Sequence, residues 1–291
     1  MQTFSVRILA EGEGPTPVQM LQALPRQASP ILLDSSDGSG WTFLGWNPDK
    51  KCRGRLTPGV IENAKGPSGR WPISSVDPGA VLEDAWKEEV WCLDDPSLPL
   101  GPAWMGWLSF ESGHAWEPFP WISESISTFP DWDFSRYRAG ILFDPEGRFK
   151  LLWAEGKEDG SHDRRGWESD FQRLLVASDA QVEQPETLVS VVGQASFERR
   201  VETLREWIAR GDLFQANLSH RMLASPPFDS RALYSGVRAT QPTSMSAYWE
   251  DAEGKALLSW SPELFLSVDG NLLETRPIKG TASRGSREEE D

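Results

Sequence analysis

The chain has 291 residues, long enough to bury a sizeable core in one large or two modest domains, and 29 Lys and Arg against 44 Asp and Glu leave it a formal charge of −15. So acidic a chain repels phosphate backbones and anionic membranes, which argues against nucleic-acid or lipid-surface binding. Two cysteines (Cys52, Cys92) make no disulfide framework, and three scattered histidines (His114, His162, His220) have no zinc spacing. No apolar run reaches membrane-spanning length, and the opening MQTFSVRILAEGEG is too weakly apolar for a signal peptide, so a cytoplasmic protein is expected.

In chain order, residues 17–24 (PVQMLQAL) have the apolar spacing of a short helix, ILLDSS is a buried strand with a polar end, and WTFLGW is another strand after the turn Asp37-Gly38-Ser39-Gly40. A helical piece is expected around VLEDAWKEEVW. Strand signals follow at AWMGWLSF, YRAGILFD and RFKLLWAE, with a hairpin turn at Asp144-Pro145-Glu146-Gly147. A helix is expected around GWESDFQRLLVAS. The polar stretch 178–190 marks a boundary, giving an amino-terminal domain over 1–180 and a second segment over 191–291. Fifteen tryptophans, mostly in strand-like company, point to large sheets with aromatic packing, the alternative being a Trp-lined ligand site.

In the second segment, Phe197, Val201, Leu204 and Ile208 share one helical face behind a Ser196 cap, with a stop near Gly211. DLFQANLSHRML alternates like a strand, LYSGVRAT is helical, and SAYWED and KALLSW are strands joined by a turn. LFLSV and NLLETRPI then form a hairpin about Asp269-Gly270, which puts Glu263 opposite Arg276. Helices interspersed with antiparallel hairpins make this an α+β fold with large antiparallel or mixed sheets. No P-loop, Rossmann glycine triplet, HExxH or GxSxG is present.

Lys279 lies three residues past Arg276, about 10 Å further along an extended chain, so it and Glu263 can converge on a small ligand at that end of the hairpin. A lysine, a glutamate and Gly280 supply a nucleophile, a proton donor and a close backbone approach, the needs of covalent chemistry on a small carbon electrophile. By spacing alone, such a pair at a sheet end is far more often an ordinary surface ion pair.

Several segments occur together in one order. GDLFQANLSHR (211–221), LLSWSPELFL (257–266) and ETRPIKGTASRG (274–285), preceded by ILLDSS, MGWLSFESG and EPFP, resemble the signature segments of the chorismate-utilising enzymes related to anthranilate synthase component I. In that family the residue before Gly-Thr is typically alanine in anthranilate synthases and frequently lysine in aminodeoxychorismate synthases. Lys279 therefore implies the aminodeoxychorismate branch, on the route to p-aminobenzoate and folate, with anthranilate synthase component I as the alternative.

The resemblance implies a mechanism. Lys279 attacks C2 of chorismate as the C4 hydroxyl leaves, with Glu263 as general acid; ammonia then attacks C4 and expels the lysine. It also implies that Gly280 and Thr281 contact a substrate carboxylate, that a separate glutamine amidotransferase subunit supplies ammonia, and that magnesium is bound by residues this chain lacks. Glu288, Glu289, Glu290 and Asp291 match only a charged stretch, so no metal ligands are expected here. The carboxyl-terminal motifs are missing, and an incomplete enzyme or a binding or scaffold remnant is a further alternative. Finally, the family's tryptophan pocket maps to Ser35, Trp41, Ser244, Met245 and Ser246; QPTSMS (241–246) lacks that motif's second proline and its tyrosine.

Overall fold

A computed structural model describes residues 2–57, 60–63, 77–116, 129–156, 164–178, 187–225 and 229–278. They fall into two compact units, residues 1–180 together with 237–291, and residues 181–236.

The first unit begins with β1 (Gln2–Gly12), α1 (Pro17–Ala23), β2 (Ile31–Asp34), β3 (Thr42–Gly45), β4 (Lys50–Thr57) and β5 (Val60–Asn63). It continues through α2 (Pro78–Trp86), β6 (Glu89–Leu93), β7 (Ala103–Leu108), β8 (Trp132–Tyr137), β9 (Ala139–Phe143), β10 (Phe149–Gly156) and α3 (Arg164–Leu174). After the second unit come β13 (Met245–Glu250), β14 (Ala256–Ser261), β15 (Leu264–Asp269) and β16 (Leu272–Arg276). Eight strands form one sheet, in the order β14-β13-β2-β3-β9-β10-β1-β6, and four form another, β5-β4-β8-β7. All pairs are antiparallel except β1 with β6. The fold is α+β, as the sequence implies.

The core lies between the two sheets. Phe4, Val6, Ile31, Phe43, Leu142, Leu152 and Trp249 come from the eight-stranded sheet, Met105 and Tyr137 from the four-stranded one. On the other face of the larger sheet, Trp167 of α3 stacks on Trp46 with ring centroids 4.2 Å apart, and Phe171 meets Phe149 edge-on. Trp46, Trp132, Trp153, Trp167 and Trp249 are all buried, in keeping with tryptophan as sheet packing. Helix α1 starts where expected because Thr16 and Gln19 form a capping box ahead of Pro17 at the first turn.

The second unit holds β11 (Thr187–Ser190), α4 (Gln194–Arg210) and β12 (Met222–Ser225); α5 (Ser230–Thr240) begins in it. β11 and β12 pair antiparallel, and α4 ends on Gly211 in the left-handed region (φ 83°), which glycine adopts without strain.

Three local expectations need correction. The helix expected through VLEDAWKEEVW stops at Trp86, and Glu89–Leu93 is a strand because it completes a parallel ladder with β1. Helix α4 is capped by Gly193, not Ser196, whose N–H instead bonds to the Gly193 carbonyl. In DLFQANLSHRML only the end is a strand; residues 212–221 are irregular, and Phe214 stands 94% exposed.

Candidate functional site

The Glu263 end of the hairpin is shaped by one glycine. The positive φ of the turn falls on Gly270 (55°), so Asp269 pairs with Leu272 and the two central residues are Gly270 and Asn271. Glycine first in a two-residue turn matches the right-handed strand twist. The turn thus sits one residue beyond Asp269-Gly270. A register irregularity between Leu264 and Ser267 then brings Leu264, not Glu263, opposite Arg276. Arg276 is held along its own strand by Glu274, with Nε to Oε1 at 2.6 Å.

Glu263 is half-buried just ahead of β15, and its carboxylate enters no ion pair among the described residues. Its backbone is fixed by Ser261: the Glu263 N–H donates to Ser261 Oγ and that hydroxyl donates to the Glu263 carbonyl, each at 3.2 Å. Lys279, Gly280 and Thr281 lie outside the described residues, as do Glu288 to Asp291.

The segment 241–246 adjoins this end. Met245 pairs with Ser261 across β13 and β14, and Ser244 Oγ donates to the Pro262 carbonyl at 3.4 Å. The same segment meets the polar end of β2 through Ser36, one residue past Ser35. The Ser36 N–H and hydroxyl donate to the Thr243 carbonyl (2.9 Å each), the Thr243 N–H donates to Ser36 Oγ (2.8 Å), and Ser246 Oγ lies 3.2 Å from Ser36 Oγ and 2.6 Å from Thr243 Oγ1. Ser35 instead turns to its own loop, donating to Asp37 Oδ1 at 3.0 Å and lying 3.3 Å from Ser39 Oγ. Slight desolvation works against the charge of the exposed Asp37, but the N–H and hydroxyl of Ser39 and the Ser35 hydroxyl outweigh it and hold the Asp37 pKa below the usual carboxylate value. Trp41 packs against the core between the sheets.

Ser246 is therefore brought to the end of β2 by Ser36 and Thr243, neither of which the sequence singles out. Beneath them Asp34 is buried and accepts from Arg238 Nε (2.7 Å), Arg238 Nη2 (3.2 Å) and Thr42 Oγ1 (3.0 Å). The one signal for this pairing is an acid among apolar residues in ILLD, which needs a buried partner. Among the described residues no group of three or more His, Cys, Asp or Glu side chains could hold a metal ion. The described residues thus do not by themselves make a magnesium site.

Anthranilate synthase component I from Streptococcus pneumoniae has a solved structure that superposes with a TM-score of 0.63 at 20% identity, over 81% of this chain and 53% of that one, which shows the shared fold. Anthranilate synthase component 1 of Lactococcus lactis is 28% identical over the whole of this chain and 61% of its own length. Aminodeoxychorismate synthase component 1 of Bacillus subtilis is also 28% identical, over 84% of this chain and 58% of its own. The chain spans between 39% and 61% of the length of such relatives. The sequence profile of the chorismate binding enzymes matches residues 33–291, and the chain belongs to that family.

Proposed function

We propose that the chain contributes to the amination of chorismate to 4-amino-4-deoxychorismate, with ammonia delivered by a glutamine amidotransferase partner. The observation that carries this reading over anthranilate formation is Lys279 immediately before Gly280-Thr281. Overall identity does not separate the two, since relatives of both names stand at 28%. In this reading the Lys279 amine forms a bond to C2, both ring double bonds shift (C1=C2 to C1=C6, C5=C6 to C4=C5), and the C4–O bond breaks with the proton supplied by Glu263. Ammonia then forms the C4–N bond as the lysine leaves C2 with its electron pair. Lys279 must be partly unprotonated near neutral pH, a condition that desolvation promotes.

The test is to supply the chain with the remainder of a catalytic domain, add chorismate, magnesium chloride and ammonia, and separate products by chromatography. 4-Amino-4-deoxychorismate is expected in place of anthranilate. Lys279→Ala should abolish it and the mass adduct at that residue. Glu263→Gln should lower kcat about 10²- to 10⁴-fold, the usual contribution of general acid–base help. Anthranilate as the product, or turnover unchanged in Lys279→Ala, would remove the lysine from the nucleophile role.

A further inference from the structure

Glu263 stands at a corner that no ladder holds. Strand β14 ends in the eight-stranded sheet at Ser261, which pairs with Met245, and the separate β15–β16 hairpin begins at Leu264, which pairs with Arg276. Only Pro262 and Glu263 lie between them. Pro262 has no N–H to give to a ladder, and it confines Ser261 to extended backbone. The N–H and carbonyl of Glu263 are left for side chains, and a single hydroxyl takes both: Ser261 Oγ accepts from the N–H and donates to the carbonyl, each at 3.2 Å. One residue earlier, Ser244 Oγ donates to the Pro262 carbonyl at 3.4 Å from just ahead of β13. The Glu263 carboxylate enters no ion pair among the described residues, Arg276 being held by Glu274, so its direction is set by the backbone that carries it.

We propose that Ser261 is a positioning residue for the proton transfer. By locking both backbone groups of Glu263, its hydroxyl fixes where that side chain leaves the corner and so holds the carboxyl within reach of the departing oxygen. The inference rests on the reading of Glu263 as the proton donor. A general acid acts only within about 2.6 to 3.2 Å of the atom it protonates. A misplacement of about 1 Å can cost on the order of 10²-fold in rate. Alanine at 261 would free the Glu263 backbone to rotate and let its N–H and carbonyl turn to water. It would remove no ladder bond, since Ser261 pairs with Met245 through its backbone, and it would open no cavity, since Ser261 is half-buried. The hydroxyl thus has little to do for folding and much to do for where the carboxyl points.

The experiment uses the full 291-residue chain supplied with the remainder of a catalytic domain, chorismate, magnesium chloride and ammonia, and compares the parent with Ser261→Ala, Ser261→Thr, Glu263→Gln and the double variant Ser261→Ala/Glu263→Gln. Ser261→Ala should lower kcat roughly 10- to 100-fold and change KM by less than about twofold. Ser261→Thr keeps the hydroxyl and should recover to within about threefold of the parent. In the Glu263→Gln background, Ser261→Ala should lower kcat by less than about twofold further, because no acid is left to position. A hydroxyl that served only the fold would cost the same in both backgrounds. The inference is overturned on its own if Glu263→Gln is slow while Ser261→Ala turns over like the parent, if the two losses multiply in the double variant, or if Ser261→Thr is as slow as Ser261→Ala. If Glu263→Gln turns over like the parent, the reading of Glu263 as the acid falls, and the positioning role falls with it.

Discussion

Asp133 is the acid that this structure treats most harshly. It lies fully buried on β8, paired across the ladders with Arg53 and Trp107, and its Oδ1 has no hydrogen-bond partner among the described residues. Burial pushes its pKa up to about 6; Lys51 and Arg53 pull the other way, Asp251 adds to the rise, and the Ser135 hydroxyl offsets a little. Folded chains therefore hold a proton between the ordinary value of 3.8 and about 6 that unfolded chains have released. This contribution to stability is fully present below 3.8 and is lost as pH rises through about 6. A shift of this size corresponds to a cost on the order of 3 kcal/mol for the charged form at neutral pH. Asp133→Asn should thus be more stable than the parent at pH 7 and have a flatter stability profile between pH 4 and 6.5. Urea unfolding across that range checks it, and parallel profiles for the two proteins would count against a protonated Asp133. Nothing in DWDFSRYRAG marks this acid in advance, because its surroundings are assembled from β4, β7 and Asp251, far away in sequence.

At the scale of elements, the β7–β8 ladder turns on Gly106. A Cβ there would stand 1.9 Å from the Asp133 carbonyl oxygen and 2.7 Å from the Phe134 Cα, both backbone atoms that no rotamer change can move. Gly106→Ala must push the strands apart, and a loss of about 3 kcal/mol or more is expected. Gly254 is the control: it sits in open space at φ 84°, so Gly254→Ala should cost only about 1 to 2 kcal/mol of left-handed strain. Comparing their denaturation midpoints tests the argument; equal losses would show that the ladder relaxes. Elements were legible where the signal is local. The short helix at Pro17, the turn at Asp144 to Gly147 and the β13–β14 hairpin stand as read from residues within a few positions of each other. Signals that depend on a distant partner were not legible. Residues 89–93 look helical until β1 pairs with them, and β1 itself, with Phe4, Val6 and Ile8 on one face, needs β10 and β6 to become a strand. The hairpin was read one residue out because Asp269-Gly270 and Gly270-Asn271 are both acceptable turn pairs, and only the backbone shows which one carries the positive φ. Of the candidate site, the sequence marked Glu263 and Ser246 but not Ser36, Thr243 or Arg238, which reach the end of β2 only through folding.

For the whole molecule, the decisive contrast is between a packed sandwich and an uncovered hairpin. The two sheets of the first unit bury their shared core, so the amino-terminal strands should fold cooperatively on their own residues. Among the described residues, the hairpin that precedes Lys279 exposes apolar side chains on both faces. A nucleophile and an acid on such a ribbon can both be present and still idle. Fixing a reactant against its catalytic groups can be worth roughly 7 to 11 kcal/mol, and a hairpin with no packing to hold it in place forfeits much of it. The substrate adds a second difficulty: chorismate is a dianion, and a chain with a net charge of −15 gives it no long-range attraction. We therefore expect residues 1–291 alone, with chorismate, ammonia and magnesium chloride, to show no product above background and no calorimetric binding in the micromolar range. Urea unfolding of the same sample should still be cooperative. Micromolar chorismate binding accompanied by turnover would mean that the hairpin needs no cover to position its residues.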